Sequence, residues 1–297
     1  MSSRKRKGIT LKDVCRWLRQ GFGLGELTKY TPWIRVQDFS SRGTSTKLPL
    51  VSVDRTAHLL SRLEYRIALA LDFANKCIEF REQYPLLPIA ELQDLARAMG
   101  IRYPTYPGTK TPVVLTIDFF ALINATAKVP PYLAIEAKYN SALRHCPKHP
   151  HRLLRTLELM EMKRRWLTSN GVQLFLLTED SIDKTLFLNL KILNQVAHRR
   201  GSICHEDNYN KYLDAIDAVD WKGVPLRELY TETASRLHWP AEDAFIMFKH
   251  LVWHHYIEID LFELLDRNMA LSRFCIHEDP KAVLTGDLVP LLMATSK

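Results

Sequence analysis

Two apolar runs stand out along the chain: VVLTIDFFALI (residues 113–123) and YLAIEAK (residues 132–138). Both read as strands, and the short connection between them predicts antiparallel pairing. Before them, CIEFREQY (77–84) alternates as a further strand, stopped by Pro85 and Pro88. Residues 57–73 carry Leu60, Ile67, Ala68 and Leu71 at helical spacing and predict a helix. Residues 10–20 read as a short amphipathic helix with Thr10 as N-cap, and 33–39 (WIRVQDF) as an edge strand. A helix over 89–99 would end at Gly100. A longer one over 151–168 would bury Leu153, Leu157, Met160 and Leu167, followed by a strand over 172–178. Strand, helix, strand predicts a right-handed crossover. The class is α/β, a mixed sheet flanked by helices, over residues 1–180.

Beyond residue 180 the pattern turns mostly helical. LFLNLKILNQVAH, NYNKYLDAIDAVDW, PLRELYTETASRL and 241–254 are the expected helices. YIEIDLF (256–262) and MALSRFCI (269–276) would pair as a hairpin across 266–268. Two helices and then a hairpin predict a winged-helix-like C-terminal domain over 181–297.

Polar residues interrupt the apolar pattern at a few places. Asp118 breaks the centre of the first run, and Glu136 and Lys138 end the second. Residues two apart on a strand share a face, so Glu136 and Lys138 point one way, and pairing brings Asp118 beside them. Carboxylates at such positions need compensation, which points to a bound cation and a charge-stabilising lysine. Glu64 lies inside the apolar stripe of its helix. It is either a third carboxylate aimed at that cluster or a rim residue whose head reaches water. Gln83 is either a structural hydrogen-bonding residue or a group holding a metal-bound water or phosphate oxygen.

Charge sharpens the division. The chain of 297 residues carries a net +8, distributed as +12 over residues 1–180 and −4 over 181–297. A basic first part suits a polyanion, and an acidic second part suits a protein partner. After Lys138 the chain is rich in Arg and His. Arg144, Lys148 and Arg152 are the expected phosphate contacts, with a solvated basic turn as the alternative. No apolar run reaches membrane-span length, and no apolar stretch follows the basic N-terminus. Five scattered cysteines suit a reducing compartment, so a cytoplasmic protein with no membrane partner is expected.

The spacing D-x(17)-E-x-K is that of the PD-(D/E)xK nuclease superfamily, with Ile117 where the general motif has Pro. The flanks add LLSRLEYRIALALDF, REQYPLLP and TIDF. Together these resemble the TnsA endonuclease family of heteromeric Tn7-type bacterial transposons, from Leu11 to Asp180. Some members carry Gln at the position of Glu136. The resemblance implies a restriction-endonuclease-like fold and a Mg²⁺-dependent nuclease that accepts Mn²⁺. Two ions would be held by Glu64, Asp118, Glu136 and the backbone carbonyl of Ala137, with Gln83 behind them. Lys138 would orient or help deprotonate the attacking water. The implied role is to cut the 5′ strands of duplex DNA at transposon ends, with an RNase-H-like transposase cutting the 3′ ends and an ATPase regulating both. The C-terminal domain would engage those partners. A restriction or repair nuclease outside a transposon, and a non-catalytic DNA-bound adaptor, are the alternatives.

Overall fold

A computed structural model describes residues 8–38, 44–74, 76–124, 131–199, 201 and 203–277. They divide into two compact units, one within Met1–Ala68 and Lys76–Ser181, the other within Leu69–Asn75 and Ile182–Lys297.

The first unit is built on a four-stranded sheet. Its strands are β3 (Cys77–Pro85), β4 (Thr116–Ile123), β5 (Tyr132–Ala137) and β6 (Gln173–Leu177), in the order β3-β4-β5-β6. The first three are antiparallel, and β6 runs parallel to β5 after the helix α4 (Pro150–Ser169). This mixed sheet flanked by helices fits a nuclease fold. Helix α3 (Ile89–Ala98) and α4 share a core with the sheet through Leu92, Ala96, Ile117, Ala134, Met162 and Leu167. Burying these side chains is the main force holding the helices to the sheet.

Helix α1 (Leu11–Arg19) starts as expected. Thr10 accepts the Asp13 N–H, and the Asp13 carboxylate accepts the Thr10 N–H, which closes a capping box. Its Trp17 packs edge-on against Trp33, with ring centres 5.9 Å apart. The glycines that follow make a tight connection. A side chain on Gly23 would run into the Pro85 ring at the end of β3.

Several expected elements fall elsewhere. Residues 33–38 form no strand. Asp38 accepts the Arg35 N–H at 3.1 Å, and the chain closes into a 3-10 turn over Val36–Asp38. Phe39 lies outside the described residues. The helix expected from residue 57 begins at Arg62, as α2 (Arg62–Phe73). Thr56–Leu59 is instead strand β2, a hairpin partner of β1 (Thr46–Pro49). The hairpin is tied to β3 because the His58 N–H donates to the buried Glu82 carboxylate at 3.0 Å, and Arg55 pairs with the same group at 2.7 Å. The buried stripe of α4 is also displaced. Leu157 is exposed, and Met162, Lys163 and Leu167 are buried.

The second unit holds α5 (Lys184–Ala197), α6 (Tyr209–Asp217), α7 (Leu226–Leu237), α8 (Ala241–Trp253), β7 (Ile257–Ile259) and β8 (Phe274–Ile276). β7 and β8 pair antiparallel. Their connection is longer than the turn at 266–268 expected from the sequence, because Met269 and Ala270 pair with the start of α7. Buried Asn189 of α5 holds the first part of that connection, donating to the Leu261 and Glu263 carbonyls and accepting the Leu265 N–H. No described helix is long and apolar enough to cross a membrane.

Candidate active site

Glu64 is presented by the first turn of α2. Ser61 accepts the Glu64 N–H at 3.1 Å, and the Glu64 carboxylate accepts the Leu60 N–H at 2.9 Å. This is a variant of the capping box, with the carboxylate reaching one residue further back. The helix N-terminus adds a modest favourable field for a negative charge there.

Asp118 comes from β4. Its Oδ2 accepts the Ala137 N–H of β5 at 2.7 Å. Gln83 links the two carboxylates, its Nε2 lying 3.3 Å from both Glu64 Oε2 and Asp118 Oδ1. Thr116 donates to the Gln83 side-chain carbonyl at 3.3 Å, which fixes the way the amide faces. Gln83 has a left-handed backbone (φ +50°) in the middle of a strand. That conformation costs a non-glycine residue about 1–3 kcal/mol and persists only where its surroundings enforce it. Here it sits where a side chain is turned between the buried Glu64 and the half-buried Asp118.

Glu136, on β5, is met differently. Lys138 Nζ donates to its Oε1 at 2.7 Å, and Lys163 from α4 donates to both its oxygens at 2.9 and 3.0 Å. Lys138 Nζ also lies 3.8 Å from Asp118 Oδ2 and 3.2 Å from the Ala137 carbonyl. The structure therefore brings together Glu64, Gln83, Asp118, Glu136, Ala137 and Lys138, all in the first unit.

The electrostatics divide these groups. Burial, then the nearby Asp118 charge, pushes Glu64 up from 4.5 to about 8. Burial, then Glu136, raises Asp118. Burial alone would also raise Glu136, but Lys163 and Lys138 outweigh it and hold that carboxyl below its usual range. Lys138 is raised, because Asp118 and Glu136 together overcome the effect of its own burial. Negative charge is thus under-compensated at Glu64 and Asp118 and compensated at Glu136. Two hard oxygen donors with unmet charge fit a divalent cation such as Mg²⁺. Among the described residues, no three His, Cys, Asp or Glu side chains stand close enough to share one ion.

Arg144, Lys148 and Arg152 are exposed. Lys148 and Arg152 line an open depression with His149, Pro150 and His151 at the start of α4, and Arg144 is not among its lining residues.

Sequence reasoning missed Lys163. The signal was present: Lys163 lies four residues from both Leu159 and Leu167, inside the apolar stripe, as Glu64 does in its own helix. Ser61 was legible too, since S-x-x-E marks a helix start.

Residues 74–179 match the family described as TnsA-like endonuclease N terminal. That span includes Gln83, Asp118, Glu136, Lys138 and Lys163 but not Glu64. The chain is also 30% identical over 184 residues to the transposon Tn7 transposition protein TnsA of Escherichia coli. That alignment covers 62% of this chain and 63% of the relative, so the chain spans less than two thirds of the relative's length. The chain is therefore similar to TnsA, and the sheet, Asp118, Glu136 and Lys138 fall within the stretch that matches the TnsA-like endonuclease N-terminal family.

Proposed function

We propose that this protein is a metal-dependent DNA endonuclease subunit of a heteromeric transposase, cutting the 5′ strands at transposon ends during cut-and-paste transposition. The observation that carries this reading is the pair of buried Glu64 and half-buried Asp118, linked by Gln83 and under-compensated in charge, with the Lys138 ammonium 3.8 Å from Asp118. Glu64 and Asp118 would hold Mg²⁺ or Mn²⁺, with the Ala137 carbonyl and Glu136 at hand. The ion would supply charge for the attacking and leaving oxygens of a phosphodiester.

The chain's own residues do the rest. The Ala137 N–H and Gln83 fix the Asp118 carboxylate, and the Leu60 N–H fixes Glu64. Gln83 is thus a positioning group behind the carboxylates. Lys138 stays protonated beside two carboxylates, so it acts as a cation and hydrogen-bond donor toward a phosphate oxygen or water rather than as a base. Exposed Arg144, Lys148 and Arg152 would meet the DNA backbone. Residues 1–180 would form the nuclease domain. Residues 181–297, net −4, would form a winged-helix-like domain that docks the RNase-H-like transposase and the ATPase.

The test is cleavage of a transposon-end duplex by the chain assembled with its partners in Mg²⁺. The wild type should nick the 5′ strands, and Asp118→Ala should not, while remaining folded. Mg²⁺-dependent 5′ nicking that survives Asp118→Ala would refute the assignment.

A further inference from the structure

Glu136 differs from the other two carboxylates in having its charge met by two amines. Lys138 comes from the same strand, but Lys163 comes from the middle of α4, and its residue is only 9% exposed. Its amine hydrogen-bonds both oxygens of Glu136 and no other described residue. A buried lysine is unfavourable unless paired, so this side chain is placed for that carboxylate. The arrangement is asymmetric across the site. Glu64 and Asp118 face each other through a neutral amide, whereas Glu136 faces ammonium groups.

Resting on the metal-dependent reading above, we infer that Lys163 is a resident counter-cation that competes with the divalent ion for Glu136 and so lowers the affinity of the site for metal. For Glu136 to ligate an ion, at least one oxygen must leave the Lys163 amine. The ion must also approach a fixed positive charge in a partly desolvated site, where a unit charge a few ångströms away is worth at least about tenfold in affinity. A purely structural Lys163, which holds Glu136 ready as a ligand, would have the opposite effect: its loss would weaken metal binding. The sign of the change separates the two.

The experiment measures Mn²⁺ binding to the full-length, DNA-free protein from the electron paramagnetic resonance of free Mn²⁺. Lys163→Met should bind Mn²⁺ about tenfold or more tightly than wild type. Lys163→Arg, which keeps the charge, should stay near wild type. Adding Glu136→Gln to Lys163→Met should abolish the gain. Lys163→Gln keeps a hydrogen bond but not the charge. It repeats the test, with the same expected gain, should the Met variant fail to fold. Unchanged or weaker binding in both neutral variants overturns the inference, as does a gain that persists with Glu136→Gln. Wild-type protein that binds no Mn²⁺ at millimolar concentration would instead overturn the metal-dependent reading, on which the inference stands.

Discussion

Replacing Glu64 by Gln should make the metal-free protein more stable while removing the proposed cleavage activity. Glu64 is 6% exposed and its carboxyl is pushed up from 4.5 to about 8, first by burial and then by Asp118. The folded state therefore holds a proton that the unfolded chain has already released. Below the unfolded value both states are protonated and nothing is lost. As pH rises above it, stability falls until the folded-state carboxyl also ionises near pH 8. At about 1.4 kcal/mol per pKa unit, the deficit is about 3 kcal/mol at pH 7 and about 5 kcal/mol above pH 8. Gln has a similar shape and no charge, so it escapes that deficit. Its carbonyl, in the place of Oε2, can keep both the Leu60 N–H and the Gln83 amide, but its NH2, in the place of Oε1, adds donors to a site built from acceptors, which returns part of the gain. A net stabilisation of about 2–3 kcal/mol at pH 7 is expected, shrinking below about 1 kcal/mol at pH 5. Urea unfolding in EDTA, read by hydrogen exchange in β4, follows the unit that carries the site. A Gln variant no more stable than wild type at pH 7, or equally stabilised at both pH values, would refute the argument. Activity given up for stability is the usual exchange at a site built from unmet charge.

Three further outcomes follow from the same geometry. On the proposed function, Lys138→Ala should leave assembly with the proposed partner subunits and their 3′ cuts intact but slow 5′ cutting by two orders of magnitude or more, about 3 kcal/mol of barrier, as read in single-turnover cleavage. Arg144→Gln, Lys148→Gln and Arg152→Gln together should weaken duplex binding and flatten its dependence on log salt by about 2–3, measured by titration at several salt concentrations. Arg55→Met should destabilise the first unit by about 3–5 kcal/mol, because it leaves the fully buried Glu82 with an unpaired charge. Replacing Glu82 by Leu in the same chain should recover much of that loss in urea unfolding.

How much of this was legible depended on whether local pattern or distant contact decides each element. Strands β3 to β6 and the helices after them follow from hydrophobic periodicity, and their positions match to within a few residues. The sheet strands carry their own signal, since alternation and length are read in a single window. Residues 33–38 alternate just as well, yet they turn, because Asp38 bonds its own neighbour and Trp33 is recruited into the Trp17 cluster. Residues 56–59 have helical neighbours, yet they pair with 46–49 and reach Glu82. In both cases the deciding partner is outside the window being read. Ser61 was the local sign that the helix begins later.

The site shows the same division, with a chemical reason behind it. Glu64, Asp118, Glu136 and Lys138 were legible as charges standing where a core pattern requires apolar residues. Lys163 is the same anomaly, but an amphipathic helix rich in Lys and Arg hides one buried amine among many solvated ones. Its place between Leu159 and Leu167 was a faint sign, and the fold makes it plain through its two bonds to Glu136. The distinction matters because three carboxylates read as a list suggest three equivalent ligands. The lysines break that equivalence. With two amines on Glu136 and an amide between Glu64 and Asp118, unmet negative charge concentrates at one pair of oxygens. A cation is drawn where charge is unmet rather than where acids are most numerous. The chemistry of this centre is therefore set as much by where its lysines stand as by where its acids do.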